Sequence, residues 1–273
     1  MKKLDVKYKF EDVVYALYNK AAGVKDFLDG DLRKKLAKNS ALRGLQEGKR
    51  CFIIGNGPSI REQPLHLLRD EQTFVCNYFF KHENIREINP KYYFVIDGKL
   101  STGEWPISML AEIQEHCPNA SLFLDGAQKH KPEAYEYDRK FGVHWVAGGR
   151  IIHPGYGFPI DLTRRIGGDN VVKIALHASI YMGFKEIYIL GVDGDGLFRD
   201  LLGQSSHFYA APPENATMDY RRMELDLWHC TEGFRSWRAI AERFDHSPVR
   251  IYNATRGGLL NIFPRRALED VIG

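Results

Sequence analysis

The chain has 273 residues, enough for one substantial core or two small ones, and 44% apolar with 27% charged residues is ordinary for a globular enzyme. A net charge of +3, from 38 basic against 35 acidic residues, excludes the strong positive field of a dedicated nucleic-acid binder. No apolar run reaches the ~18 residues of a membrane span. The basic tip MKKLDVKYKF also lacks the continuous apolar stretch of a signal peptide, so a cytoplasmic protein is expected, with peripheral contact at the inner membrane face left open.

Residues 1–48 read as a helical N-terminal extension. Phe10, Val13, Val14 and Leu17, then Phe27, Leu32, Leu36, Leu42 and Leu45, recur among charges at the spacing of two or three short amphipathic helices. From residue 49 to 273 the pattern predicts a single α/β domain with a mainly parallel, Rossmann-like sheet flanked by helices. Six short apolar runs (RCFIIG, TFVCN, KYYFVIDG, ASLFLDG, KEIYILGVD and VRIYNA) are rich in β-branched and aromatic residues, and most end at Gly, Asn or Asp. Helical spacing fills the intervals at ISMLAEIQEH, NVVKIALHASIYMG and MELDLWHCTEGFRSWRAIAERF. After residue 203, GQSSHFYAAPPENATMDY is rich in Pro, Ser and Asn and predicts a long loop or lid. The four cysteines form no C-x-x-C pair, so neither a zinc knuckle nor a disulfide framework is expected.

In a parallel sheet, ligands bind outside the carboxyl ends of the strands, so the polar residues that close each run are the first candidates for function. The opening strand runs into Gly55-Asn56-Gly57-Pro58-Ser59. Its glycines permit close backbone approach, its N–H groups suit an anion, and the Asn56 amide can read a base or sugar. The same turn reads equally as structural. Asn77 closes TFVC, Asp97 closes YFVI, and Asp193 follows IYILGV. Asp193 and Asp195 also form a D-x-D pair, where Mg²⁺ or Mn²⁺ is expected if a metal is held at all. His207, in SSHFY, is the histidine best placed to act as a base, ahead of His144, His153 and His229. Arg164, Arg165, Arg256, Arg265 and Arg266 are candidates to neutralise phosphate.

In order, IIGNGPSI, FVCNYFF, the strand ending in Asp97, NVVKIALHASIYMGFKEIYILGVD, SSHFY and IYNATRGGLL resemble the bacterial CMP-sialic acid sialyltransferases. They also resemble the related unknown-function domain family, which includes motility accessory factor flagellin glycosyltransferases and 6-hydroxymethylpterin pyrophosphokinases. The resemblance covers roughly residues 50–265. It implies donor contacts from Asn56 and Asn77, a third-strand role for Asp97 near sugar or acceptor, and nucleotide contacts from Gly168, Asp169 and Asn170. It also implies a metal-free inverting displacement that requires no cofactor. This chain departs from the pattern in two places. The family's two tyrosines after the GxD strand are missing from GVDGDGLFRDLLG, and its catalytic histidine falls on Ala211, so His207 is a base by position and not by correspondence.

The leading expectation is a glycosyltransferase of cell-surface glycan, lipopolysaccharide or glycoprotein assembly, with a nucleotide-sugar donor, a CMP-linked nonulosonic or related acid first, and a glycan or glycoprotein acceptor. A Mg²⁺-dependent pterin-type pyrophosphokinase, with Asp97 a further ligand candidate beside Asp193 and Asp195, and a non-catalytic nucleotide-binding module are the alternatives.

Overall fold

The computed structural model describes residues 2–149, 151–154, 159–209 and 219–273. It opens with helices α1 (Lys2–Leu28) and α2 (Gly30–Ala37), then strand β1 (Arg50–Ile54). Next come β2 (Thr73–Cys76), α3 (Ile85–Ile88), β3 (Tyr92–Val95), α4 (Gly98–Thr102), α5 (Met109–His116) and β4 (Ser121–Asp125). After α6 (Pro132–Phe141) and the short β5 (His144–Val146), α7 (Val171–Tyr181) leads to β6 (Glu186–Leu190). The chain ends with α8 (Gly196–Leu201), α9 (Tyr220–Phe244), β7 (Arg250–Asn253) and α10 (Leu268–Ile272).

Among the described residues, seven strands form one sheet in the order β5-β4-β3-β2-β1-β6-β7, and every pairing is parallel. The α/β expectation holds. Strands β1 to β5 step outward in one direction, and the chain then returns through α7 to place β6 against the other side of β1. The exit of β1 is therefore the point where strand order reverses and where a crevice opens in sheets of this kind.

Alternation along each strand supplies two apolar layers. Cys51 and Ile53 of β1 pack with Ile174 and Leu176 of α7 and Trp237 of α9. Phe52 and Ile54 face the opposite layer, with Leu110 of α5 and Leu32 and Leu36 of α2.

The N-terminal region differs from the expectation of short helices, because residues 2–28 form one continuous helix. Gly23 reads as a breaker at a cost of about 1 kcal/mol. Side chains on both sides of it tie the helix down. Asn19 exchanges two hydrogen bonds with the Ile151 backbone at 2.9 and 3.0 Å, Asp26 binds Arg165 at 2.6 and 2.7 Å, and Arg235 binds Glu11 at 2.9 Å and Asp12 at 3.0 Å. Edge strand β5 gives too short an apolar run to be predicted. It is held in part by buried Asn39, whose side-chain amide donates to the carbonyls of Trp145 and Leu162 at 2.7 and 2.9 Å.

Candidate active site at the exits of the central strands

The order β3-β2-β1-β6 sets Asp97, Asn77, Asn56 and Asp193 in one row along the carboxyl edge of the sheet. The closest contact in that row is between β1 and β6. The Gly55 N–H donates to Leu190 O at 2.8 Å and the Gly57 N–H to Gly191 O at 2.9 Å. A Cβ on Gly55 would lie 2.5 Å from Gly191 O, and one on Gly57 would lie 2.7 Å from both Gly191 O and Asp193 Oδ1. The glycines of the turn are therefore required by strand-to-strand approach.

Ser59 completes this junction, with its N–H 3.1 Å from Asp193 Oδ2 and its hydroxyl 2.5 Å from Oδ1. Burial raises the Asp193 carboxyl above its usual range, and the two bonds from Ser59 oppose that rise. The N–H groups of Gly55, Gly57 and Ser59 are thus all engaged within the protein, unlike the anion-facing turn that the sequence suggests. Pro58 starts a 3₁₀ turn, Pro58–Glu62, and has no N–H to offer.

Asn56 turns the other way, toward β2. Its amide nitrogen donates to Cys76 O at 3.2 Å, while its Oδ1 is buried with no hydrogen-bond partner among the described residues. The neighbouring Asn77 is 8% exposed and adopts a left-handed backbone with φ of 52°, a conformation that Asn tolerates better than most residues. Its main-chain oxygen accepts from the Tyr93 hydroxyl at 2.6 Å, and its side-chain Oδ1 also has no partner among the described residues. Two unpartnered amide oxygens thus stand at adjacent strand ends. Asp97, one strand further, caps α4 by accepting from the Lys99 N–H at 2.9 Å.

The other acidic member of D-x-D is committed elsewhere. Asp195 pairs with Arg199 at 2.8 Å, and Asp193 faces Ser59. Among the described residues, no group of three or more His, Cys, Asp or Glu side chains could hold a metal ion.

His207 lies beside the GNGPS turn because the chain after α8 docks on it. The Phe208 N–H donates to Asn56 O at 2.9 Å, and Arg61 Nε donates to Phe208 O at 2.8 Å. The imidazole Nδ1 lies 3.1 Å from Ser206 Oγ, and its ring stacks on Tyr209 with centroids 5.0 Å apart. Tyr209 in turn meets Tyr78 at 5.5 Å, Trp105 stands edge-on to Tyr78 at 4.9 Å, and the Lys81 ammonium lies 4.6 Å from the Tyr78 ring centre. Tyr209, Lys81, Trp105 and Arg61 were not legible as site residues, since only the docking of the 205–209 segment brings Tyr209 and Arg61 to it. The remainder of the expected lid, residues 210–218 with Ala211, lies outside the described residues.

No protein-family model and no curated protein sequence matches this chain. Solved structures do. The sialyltransferase CstII from Campylobacter jejuni in complex with the substrate analogue cytidine-5'-monophosphate is similar at 16% identity and a TM-score of 0.44, over 81% of this chain and 86% of that one. The same sialyltransferase with CMP-3FNeuAc gives 15% identity and a TM-score of 0.43, over 80% and 86%.

Gly168, Asp169 and Asn170 line a cavity of about 520 Å³ together with Tyr15 of α1 and Trp228 and Ser236 of α9. Asn170 caps α7 by accepting from the Lys173 N–H at 3.0 Å. Asp169 holds the fully buried Lys173 ammonium at 2.6 and 2.9 Å, and burial lowers that ammonium's pKa while Asp169 opposes the shift. Of the other histidines, His229 lines this cavity, His144 stacks on Phe123 and His153 lies 3.2 Å from Asp12. Arg165 and Arg256 are engaged with Asp26 and Glu269, Arg265 holds Asn261 and main-chain carbonyls, and Arg266 lies over Tyr252.

Proposed function

We propose that this protein is a glycosyltransferase that takes a nucleotide-activated sugar at the exits of β1 and β2. A CMP-linked nonulosonic or related acid is the first donor to test, and a cell-surface glycan, lipopolysaccharide or glycoprotein is the acceptor. The observation that carries this reading is the pair of buried, unpartnered oxygens, Asn56 Oδ1 and Asn77 Oδ1. A buried acceptor without a donor costs roughly 1–3 kcal/mol, so a ligand that supplies N–H or O–H groups gains by filling it. Ribose hydroxyls and the exocyclic amine of a base are such groups, whereas a bare phosphate offers no comparable set. The sequence resemblance points to the same two asparagines.

In this mechanism the acceptor hydroxyl attacks the anomeric carbon of the donor. A C–O bond to the acceptor forms as the anomeric C–O bond to phosphate breaks, and the nucleotide phosphate leaves with the electron pair. His207 takes the hydroxyl proton, with Ser206 Oγ and the Tyr209 ring fixing the imidazole. Lys81 and the hydroxyls of Tyr78 and Tyr209 meet the charge on the departing phosphate. Asp97 orients the sugar or acceptor from the next strand.

Calorimetric titration with CMP, UDP and ATP, each with and without Mg²⁺, tests the site. CMP binding is expected to weaken about tenfold or more in Asn56→Ala and in Asn77→Gly, which keeps the left-handed backbone accessible. Unchanged affinity in both variants overturns the assignment. Tight ATP binding only with Mg²⁺ favours the pyrophosphokinase, and CMP binding without turnover or hydrolysis of any CMP-sugar favours a nucleotide-binding module.

A further inference from the structure

Helix α1 has two faces with different chemistry. Toward the body it presents Glu11, Asp12, Asn19 and Asp26, each bonded to Arg235, the Ile151 backbone or Arg165. Its acidic groups on that side are therefore matched within the fold. Away from the body it presents Val6, Phe10, Val13, Leu17, Val24 and Phe27, each 60–71% exposed. At about 100° per residue these six positions fall within roughly a third of the helix circumference, and the helix is about 40 Å long. Exposed Lys9 and Lys20 border one side of the stripe, and exposed Lys7 and Lys25 border the other; Lys7 also pairs with Glu11 at 3.5 Å.

An apolar stripe edged by lysines, on a helix whose Glu11, Asp12 and Asp26 turn inward, complements one surface well. We infer that α1 is an interfacial helix that lays this protein on an anionic lipid bilayer, with Phe10, Leu17 and Phe27 among the acyl chains and the lysines at the headgroups. No described helix is long and apolar enough to cross a membrane, so the helix lies in the plane of the surface. The 4-3 spacing from Val6 to Leu17 is also that of a coiled-coil seam. A second copy is nevertheless disfavoured by charge. Lys20 occupies the seam position between Leu17 and Val24, so parallel pairing of two copies brings lysine against lysine. The inference rests on α1 alone and stands apart from the reading of the strand-end site.

Flotation of the full chain with vesicles tests it. Binding is expected to vesicles of phosphatidylcholine mixed with phosphatidylserine, with a fall of about tenfold or more on pure phosphatidylcholine and a progressive loss with added salt. The double variant Phe10→Glu, Leu17→Glu, altered only at exposed positions, is expected to keep the wild-type melting temperature and lose vesicle binding. Lys9→Glu with Lys20→Glu leaves the apolar stripe intact and is expected to lose roughly tenfold or more on the anionic vesicles only. No flotation of the wild type, or full flotation of the Phe10→Glu, Leu17→Glu variant, overturns the inference. So does a lipid-free dimer in sedimentation equilibrium that the same double variant dissociates, because the occupant of the stripe is then a second copy.

Discussion

Ser59 holds the Asp193 carboxylate with two hydrogen bonds, one from its backbone N–H and one from its hydroxyl, across 134 residues of sequence. The GNGPS turn and the GVD turn are thereby one unit, and neither is free to move without the other.

Ser59→Ala removes the hydroxyl bond and leaves a buried carboxylate oxygen without its donor. The expected cost is about 1–3 kcal/mol, read as a lower denaturant midpoint at constant m-value. Asp193→Asn, which keeps an acceptor and removes a charge that burial disfavours, is expected to cost less than Ser59→Ala.

Gly57→Ala adds a methyl group 2.7 Å from Asp193 Oδ1 and Gly191 O. Its backbone, with φ of −62°, suits alanine, so the penalty is purely steric. A loss of about 1–3 kcal/mol is expected by chemical denaturation, together with weaker CMP binding. Gly98→Ala, at the start of α4 with nothing within 4 Å of the new Cβ, is the control and is expected to be neutral or slightly stabilising.

Asp169→Ala leaves the fully buried Lys173 ammonium without its carboxylate. Removing one partner of such a pair costs about 3 kcal/mol or more. Thermal melting should therefore show a large loss for this variant, while Asn56→Ala, which deletes an oxygen unpartnered among the described residues and only long amide contacts to Cys76, shows a small one. A drop in ligand binding by Asp169→Ala accordingly reports on the fold, and Lys173→Met with Asp169→Asn separates fold from contact.

His177 predicts the acid limb of stability. Burial holds its imidazole down to about 4 from the ordinary 6.5, with its Nδ1 2.8 Å from Gly167 O. The unfolded chain binds this proton more readily than the folded one between those values, so the stability contribution is complete above pH 6.5 and falls as pH drops toward 4. The full difference is about 3 kcal/mol. Urea midpoints measured from pH 7 to pH 4 should decline, and His177→Gln should flatten that part of the decline.

The sequence showed most of the sheet because β1, β2, β3, β4, β6 and β7 are contiguous apolar runs, a pattern that each segment carries without reference to its partners. Strand β5 offered only His144, Trp145 and Val146, too few to carry a period, and its anchor Asn39 lies more than a hundred residues away. The single helix α1 was hidden by Ala21-Ala22-Gly23, where local propensity predicts a break and tertiary bonds from Asn19 and Asp26 override it. In the site, Asn56 and Asn77 were legible because strand ends in a parallel sheet converge. The roles of Ser59, Arg61 and Tyr209 were not, since each depends on a partner that no local pattern names.

The bond from the Phe208 N–H to the Asn56 carbonyl joins His207 to the strand-end turn through main-chain atoms. A substitution of the Asn56 side chain leaves that carbonyl in place. On the proposed reading, nucleotide preference at position 56 can therefore change by substitution of that one side chain while the segment bearing His207 keeps its seat on the main chain.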